Sequence, residues 1–596
     1  MNRHRAYWPL DDAPVPDGDG RFLGVNARVD PAQLAEGELS AAVNCRFDEG
    51  RLATRKGARI MPWGIPGVQG AAPDLIVPYG PVRRAAAFKD PITGLEWVIV
   101  VRDGDDDLPL GASYRSRPGN TGALLSAPAD TDWTSVTDLI QTYNGMVCLR
   151  GPDLAPLYLV SVDEGWRELP TAASSKEAIP PSSDGIYFGN RLFVIDGRDD
   201  GQHADSLWVS DIGGVGSVLQ GDEVGLGQSF RINQGSADRL VGVAKFNDTT
   251  IVALKERSVF VVSGVYGTND QIGSNARLDS VTDQYGCMAP RSVVQVGKDL
   301  WFLGHRRGIC SIQQTNTNAL QGVDVAVSRD IQPIIDRINW DAAGNATAAA
   351  WDNRVFFAVP IDGATDNNAI LVFSTLTGKW AGYDQSDATK VRDWVAYTYG
   401  GAVRLGFLST DGFVYLWEDG YTDDVGDADG HITRSAVEIY AQTRAYGGRE
   451  SGVKRFTRCE IKGRTWDTVA EIAVTRPGVV TPRIVLTLDV DNARYVRPFG
   501  RARWLRSNQN GDWETPGRED YAVSMDGLAG AGVHVTDGAG SGTIGFGMLE
   551  PFDFARRLGE RGSGLMLEIT STRGRLEIAG ISVEAQRGNS HDSVVR

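Results

Sequence analysis

Between residues 84 and 423 the chain repeats one hydrophobic and polar pattern about seven times: a short strand, a polar turn rich in Asn, Asp and Gly, then an aromatic or β-branched strand. The copies read PITGLEWVIV, TYNGMVCL, YFGNRLFVI, KFNDTTIVAL, QVGKDLWFLG, AWDNRVFFAV and TYGGAVRLGF, anchored at Gly94, Asn144, Asn190, Asn247, Lys298, Asn353 and Gly401. Successive anchors lie 50, 46, 57, 51, 55 and 48 positions apart. A period near this length marks a propeller or another array of supersecondary units.

A second apolar strand follows each copy, as in APLYLVSVDEGW, DSLWVSD, ERSVFVVSG, RRGICSIQQ, NAILVFSTLTGKW and DGFVYLWEDG. Two hairpins per repeat supply about four strands, the content of one propeller blade. The strands are expected to alternate apolar and polar positions, as in the runs from Asp299 to Leu303 and from Arg257 to Val262. Trp133, Trp166, Trp380 and Trp417 fall near blade ends, where a large ring fills the wedge between neighbours.

Three regions and a tail separate along the chain. Residues 1–75 are punctuated by Pro and Gly and are too few to bury a core of their own, so they form an N-terminal docking segment. Within it, Asp30-Pro31 opens a short helical turn through Glu36, and Asp48-Glu49-Gly50 reads as a hairpin loop between Asn44–Phe47 and Arg51–Arg55. Residues 76–430 hold the repeats. Residues 431–590 carry longer alternating strands without the period, such as EIYAQTRAY, FTRCEIKGRT, VAEIAVTRP and RIVLTLDVD, which predict an antiparallel β-sandwich. Residues 591–596 are a polar tail. The expected fold is all-β: a propeller of about seven blades, with six as the alternative, between the docking segment and the sandwich.

The 71 glycines fit an architecture of tight turns, and no window approaches 18 consecutive apolar residues, so no membrane-spanning helix is expected. The N-terminus lacks an apolar stretch of signal-peptide length, which predicts a chain kept in the cytoplasm until assembly or lysis. Five cysteines, Cys45, Cys148, Cys287, Cys310 and Cys459, lack the spacing of a zinc or redox motif and read as buried apolar residues. The net charge of −16 opposes binding to phosphate backbones, yet an acidic lumen would let DNA slide without sticking.

Candidate chemistry is sparse. His4, His203, His305, His431, His534 and His591 are isolated. Asp103, Asp105 and Asp107 begin a calcium-loop spacing, but Leu108 and Tyr114 occupy the glycine and closing-glutamate positions. That run, and Asp423, Asp424, Asp427 and Asp429, are expected to be solvated loops. The runs from Ser161 to Trp166 and from Ser409 to Gly412 approach the turn motif of sialidase propellers without its tryptophan spacing, so both are expected to be hairpin turns. The glycine run from Gly540 to Gly545 fits a dinucleotide fingerprint formally but lies between strands, where a flexible turn is expected. No catalytic residue, cofactor or metal is assigned.

The N-terminal string bearing Gly24, Asn26, Pro31, Leu34, Gly37, Asn44, Gly50, Leu52, Arg55 and Gly57 resembles the opening of tail-tube nozzle, or packaged-DNA stabilisation, proteins of short-tailed bacteriophages. The runs Asn190–Leu192, Asp205–Asp211, Ala244–Phe246 and Leu254–Val259, then Gly286 and Arg291–Val294, are similar to the same group. The resemblance spans roughly residues 20 to 585. It implies a structural, non-enzymatic virion protein: a ring, expected to be a hexamer, below the portal and adaptor of the tail. DNA would leave through its lumen without specific binding, and the propellers would dock fibres or receptor-binding proteins. Gly24, Asn26, Pro31, Asn44, Arg55 and Gly57 are the expected partner-docking residues, and deletion of residues 1–60 is expected to leave a folded propeller that no longer joins the tail. The alternatives are a distal tail propeller binding a host glycan or receptor, and a glycan hydrolase, which requires two converging carboxylates.

Overall fold

The computed structural model describes residues 15–61, 79–106, 108–117, 120–169, 177–198, 203–211, 226–235, 238–265, 276–313, 326–427, 430–447, 454–475, 483–490 and 550–587. It also describes short strands at 506–507, 513–514, 522–524, 533–537 and 540–544. His4, Asp107, Asp429 and the tail 591–596 lie outside the described residues.

The repeats form a β-propeller. In chain order its blades are built on the inner strands Val82–Lys89, Asp138–Gln141, Gly185–Phe188, Leu240–Lys245, Val294–Val296, Thr347–Trp351 and Val391–Tyr399, here called blades 1 to 7. Each pairs antiparallel with the strand that follows it, and neighbouring blades touch around a ring through their inner strands, except that the inner strand of blade 4 meets the turn Pro290–Ser292 that enters blade 5. Six of the blades are separate sheets; blade 6 (residues 347–384) opens a larger, 14-stranded sheet. Every quoted turn sequence joins an inner strand to the second strand of its blade. Three of these turns have two successive residues at positive φ: Gly189-Asn190, Asp352-Asn353 and Gly400-Gly401. That backbone matches the right-handed twist of a two-residue hairpin and favours Asn, Asp and Gly.

The second strands depart from the expected alternation. Leu300, Trp301, Phe302 and Leu303 are all buried. Leu300 and Phe302 pack toward blade 4, whereas Trp301 and Leu303 pack toward blade 6. A blade has a neighbour on each face, so its second strand is apolar on both, like the strand of a doubly covered sheet. The same division splits Val98 and Val100 from Ile99 and Val101 in blade 1. Trp133 and Trp166 meet edge to face at 5.6 Å in the wedge between blades 1 and 2, and Trp380 and Trp417 are buried, as the sequence predicts.

The N-terminal segment is woven through the molecule. Arg59–Ile60 pairs with Leu416 and Tyr415 and supplies the last strand of blade 7. Val25 pairs with Trp380 in the outer strand of blade 6, and the strand Glu38–Val43 carries the sheet on to Ile439–Thr443. Phe22, Val25, Leu39, Cys45, Phe47 and Leu52 belong to one cluster with blades 5 to 7 and the C-terminal strands. The hairpin at 48–50 forms as expected, whereas Asp30–Gln33 is only a hydrogen-bonded turn, closed by Gln33 N–H to the Asp30 carbonyl at 2.8 Å.

The C-terminal region is antiparallel. FTRCEIKGRT and VAEIAVTRP belong to one 22-residue strand, Lys454–Thr475, which pairs along its length with the 22-residue strand Met566–Arg587. Glu550–Gly562 and Arg483–Val490 lie in line on the far side of Lys454–Thr475. Gly540–Ile544 is a strand paired with Val533–Asp537, not the expected turn.

Candidate functional site

Two polar centres stand out, one at the joint of the three regions and one on the propeller axis. The joint begins with Arg55, which follows the strand Leu52–Thr54 and is fully buried. Its guanidinium donates two bonds to Asp423, at 2.9 and 2.6 Å, and others to Asn44 Oδ1 (3.0 Å), the Lys56 carbonyl (2.9 Å) and Ser386 Oγ (3.2 Å). It also lies over the Trp417 ring, 5.2 Å from the centroid. Burial opposes ionisation of Asp423, but the charge and hydrogen bonds of Arg55 outweigh it and hold the carboxyl below its ordinary range. Asp423 and Asp424 are therefore buried members of the strand Thr422–Gly426, contrary to the expected solvated loop.

Asn44 has a positive φ and is buried, and its amide donates to the carbonyls of Gln385 (3.0 Å) and Glu438 (2.7 Å), bridging blade 6 to the C-terminal region. Gly57 is required by space, because a Cβ there would lie 1.9 Å from the Thr422 carbonyl oxygen. Gly24 packs on Lys379 and Trp380, Asn26 donates its backbone N–H to Leu39 at 2.9 Å, and the Pro31 carbonyl accepts from Ala445 at 2.9 Å. The six residues expected to dock a partner thus have their described contacts inside this chain. Buried Asn44, Arg55 and Gly57 join the segment to its own propeller.

Sequence reading missed the rest of the joint. Arg46 binds Asp384 in bidentate fashion (2.9 and 2.7 Å) and Glu418 at 2.7 Å; Glu418 also accepts from Arg354, which reaches Asp48 at 2.7 Å. Burial opposes the charge of Glu418, but Arg46 and Arg354 hold its carboxyl below the usual range. Arg46 and Asp48 lie more than 300 positions from Arg354, Asp384 and Glu418, and the five share no local motif.

At the axis, Arg84, Asp138, Asp184, Arg291 and Asp393 come from blades 1, 2, 3, 5 and 7 or the turns that enter them. Arg291 binds Asp393, and Arg84 donates to the Thr137 carbonyl. Asp393 also accepts the Ala85 amide at 3.1 Å, and Asp184 accepts the Val243 amide at 2.8 Å, so each carboxylate ties its blade to the next. Asp138 accepts the Leu139 amide at 2.9 Å. Burial raises Asp138, and burial together with the Asp138 charge raises Asp184 well above the carboxylate range. Burial and the Arg291 charge lower Arg84. A recess of about 1010 Å³ opens onto this floor, walled by the inner strands of blades 4 and 5 and reaching Asn247 and Lys298 in their turns.

The other candidates take structural roles. Asp163 pairs with Arg115 at 2.7 Å, and the Ser161 hydroxyl donates to Asp90 at 2.7 Å within the hairpin that the sequence predicts. Gly412 N–H closes the second such turn on Ser409 at 3.0 Å. Asp105 pairs with Arg102, and Asp103 lies 3.5 Å from Arg83. Among the described residues no group of three or more His, Cys, Asp or Glu side chains is placed to hold a metal. All five cysteines are buried as free thiols, and burial pushes Cys45 and Cys310 up to about 12. No helix among the described residues is long and apolar enough to cross a membrane.

The architecture is that of a β-propeller protein. No family model matches the chain, and no curated protein matches it. Among solved structures, YCF48 bound to a D1 peptide aligns with a TM-score of 0.34 at 9% identity, over 61% of this chain and 96% of that one. A likeness this distant bears on neither function nor partner.

Proposed function

We propose that the chain is a structural subunit of a ring at the tail of a short-tailed bacteriophage virion, assembled in the host cytoplasm and continuing the DNA exit channel below a portal and adaptor. The observation that carries this reading is the hydrogen-bonded continuity between propeller and C-terminal strands: one 14-stranded sheet runs from blade 6 through the N-terminal segment into the paired strands Lys454–Thr475 and Met566–Arg587. At roughly 3.3 Å per residue each of these strands is about 70 Å long. A propeller fixed to so long a sheet is a stiff module, suited to a conduit wall with docking plates outside it. No catalytic residue enters this reading, and the acidic net charge suits a lumen that repels phosphate.

Native mass spectrometry and two-dimensional averaging of the purified assembly test it. A six-fold ring with an open centre is expected. A chain that stays monomeric at high concentration and is absent from purified tails would refute the proposal. Submicromolar, salt-sensitive binding of duplex DNA by the ring would remove the sliding-channel argument.

A further inference from the structure

We infer that neighbouring copies of this chain join head to tail by strand addition: the outer strand of blade 4, Arg277–Thr282, adds antiparallel to the edge of Glu550–Gly562 in the next copy, with Asp279 meeting Arg561 and Asp283 meeting Arg557. This rests on the ring reading above and names the contact between its subunits.

Both strands stand at the edges of their sheets. Among the described residues Glu550–Gly562 pairs only with Lys454–Thr475, and Arg277–Thr282 pairs only with Val259–Ser263. An unpaired edge offers backbone donors and acceptors to another chain, and soluble proteins normally cover or blunt it. The N-terminal segment covers the outer edges of blades 6 and 7. Of the outermost strands in the other blades, Arg277–Thr282 is the longest at six residues, and Arg277 to Ser280 are exposed. Leu278 leaves an apolar side chain uncovered on that edge.

Charge selects the match. In a chain of net charge −16, four exposed arginines form a block beside the edge of the C-terminal sheet. Arg455 lies directly opposite Arg561, and Arg458 directly opposite Arg557. Like charges so placed destabilise a sheet. Arg458 has Glu460 at 3.8 Å and Glu584 at 3.9 Å, but Lys462 shares Glu460 at 3.0 Å. Arg455 and Arg557 form no ion pair among the described residues.

The outer strand of blade 4 carries carboxylates at the spacing of the edge arginines. Arg557 and Arg561 are 561 − 557 = 4 positions apart, and Asp279 and Asp283 are 283 − 279 = 4 positions apart, about 13 Å at roughly 3.3 Å per residue. In an antiparallel pair one register serves both: Asp279 opposite Arg561 puts Asp283 opposite Arg557. Asp283 is exposed, and Asp279 has only the exposed Arg277 as its ion-pair partner, at 3.3 Å, a weak contact to exchange. Phosphate would also suit the arginines, but it has no use for a strand edge, whereas a polypeptide strand uses both. The two edges are different surfaces of one chain, so the contact is heterologous, the type that closes a ring.

The test is association of the full chain, followed by sedimentation and native mass spectrometry. Arg557→Glu with Arg561→Glu, and separately Asp279→Arg with Asp283→Arg, should each raise the dissociation constant between copies by about tenfold or more. The chain carrying all four substitutions regains opposite charges and should return to within about threefold of the wild type. Wild-type rings that neither double reversal weakens, or a fourfold variant no better than the doubles, would overturn this contact and leave the ring standing. Loss of duplex-DNA binding by the Arg557→Glu, Arg561→Glu chain with its assembly unchanged would assign the arginines to phosphate and overturn it as well. A wild type that stays monomeric refutes contact and ring together. If a reversed chain fails to fold, Asp279→Cys with Arg561→Cys decides the matter: oxidation should link copies into a covalent ladder that neither single variant gives, and absence of the ladder overturns the inference.

Discussion

The joint built on Arg55 makes a quantitative prediction. Both Arg55 and Asp423 are wholly removed from water and share two hydrogen bonds. Removing one partner strands a charge where water cannot reach it, which typically costs about 3–5 kcal/mol. Arg55→Ala should therefore destabilise the protein by about that amount, and Asp423→Ala by a similar one. The double variant leaves neither charge behind, so its loss should fall short of the sum by about 2–3 kcal/mol, a factor of roughly 30 to 150 in the unfolding equilibrium. Urea unfolding followed by tryptophan fluorescence reads this directly, because Trp417 lies under the guanidinium. The pH dependence supplies the sign. Since Arg55 holds the folded-state pKa of Asp423 below its unfolded value, the pair's contribution is fully present above about pH 4–5 and fades as the pH falls through the folded value. In Arg55→Ala the stranded carboxyl can instead take a proton, so the penalty of that variant should shrink in acid. Additive single losses, or a loss below about 1 kcal/mol for Arg55→Ala, would refute the reasoning.

Gly57→Ala would press a methyl group into the Thr422 backbone and should cost at least about 1–3 kcal/mol, read as a lower urea midpoint. Native protein should show no thiol reactive toward a disulfide reagent at pH 8, and all five only after unfolding; a reactive fraction in the folded state would contradict the burial of the cysteines. Deletion of residues 1–60 should abolish the cooperative melt of the propeller instead of leaving it folded, because it removes the last strand of blade 7 and core residues Phe22, Val25 and Leu39. A truncated chain that melts like the full one would overturn that statement.

The periodic hairpins were legible because their cause is local: each inner turn needs a backbone that Asn, Asp and Gly adopt readily, as at Asp352-Asn353. The runs VIVV, LFVI and LWFL were harder to read. Continuous apolar strands signal coverage on both faces, a tertiary fact that an alternating template obscures. Arg55, Asn44 and Gly57 stood out by pattern as docking residues, yet the groups they meet, Asp423, Gln385 and Thr422, lie more than 300 positions away, and nothing local distinguishes a residue packed on its own chain from one docked on another. The axial floor was invisible for the same reason, since its five charged residues come from five different blades.

The strand that completes blade 7 also constrains when the molecule can fold. Ile60 pairs with Tyr415, 415 − 60 = 355 residues later, and Ala53 pairs with Glu577, 577 − 53 = 524 residues later. At ribosomal rates of roughly 5–20 residues per second, the N-terminal segment waits on the order of 20 to 70 seconds for its propeller partner and longer for the C-terminal strand. Throughout that interval Phe22, Val25 and Leu39 lack their native cover, and the nascent blades form an open arc with two unsatisfied ends. Ring closure is thus a late event in biosynthesis, and a chain interrupted before residue 416 is left without its clasp.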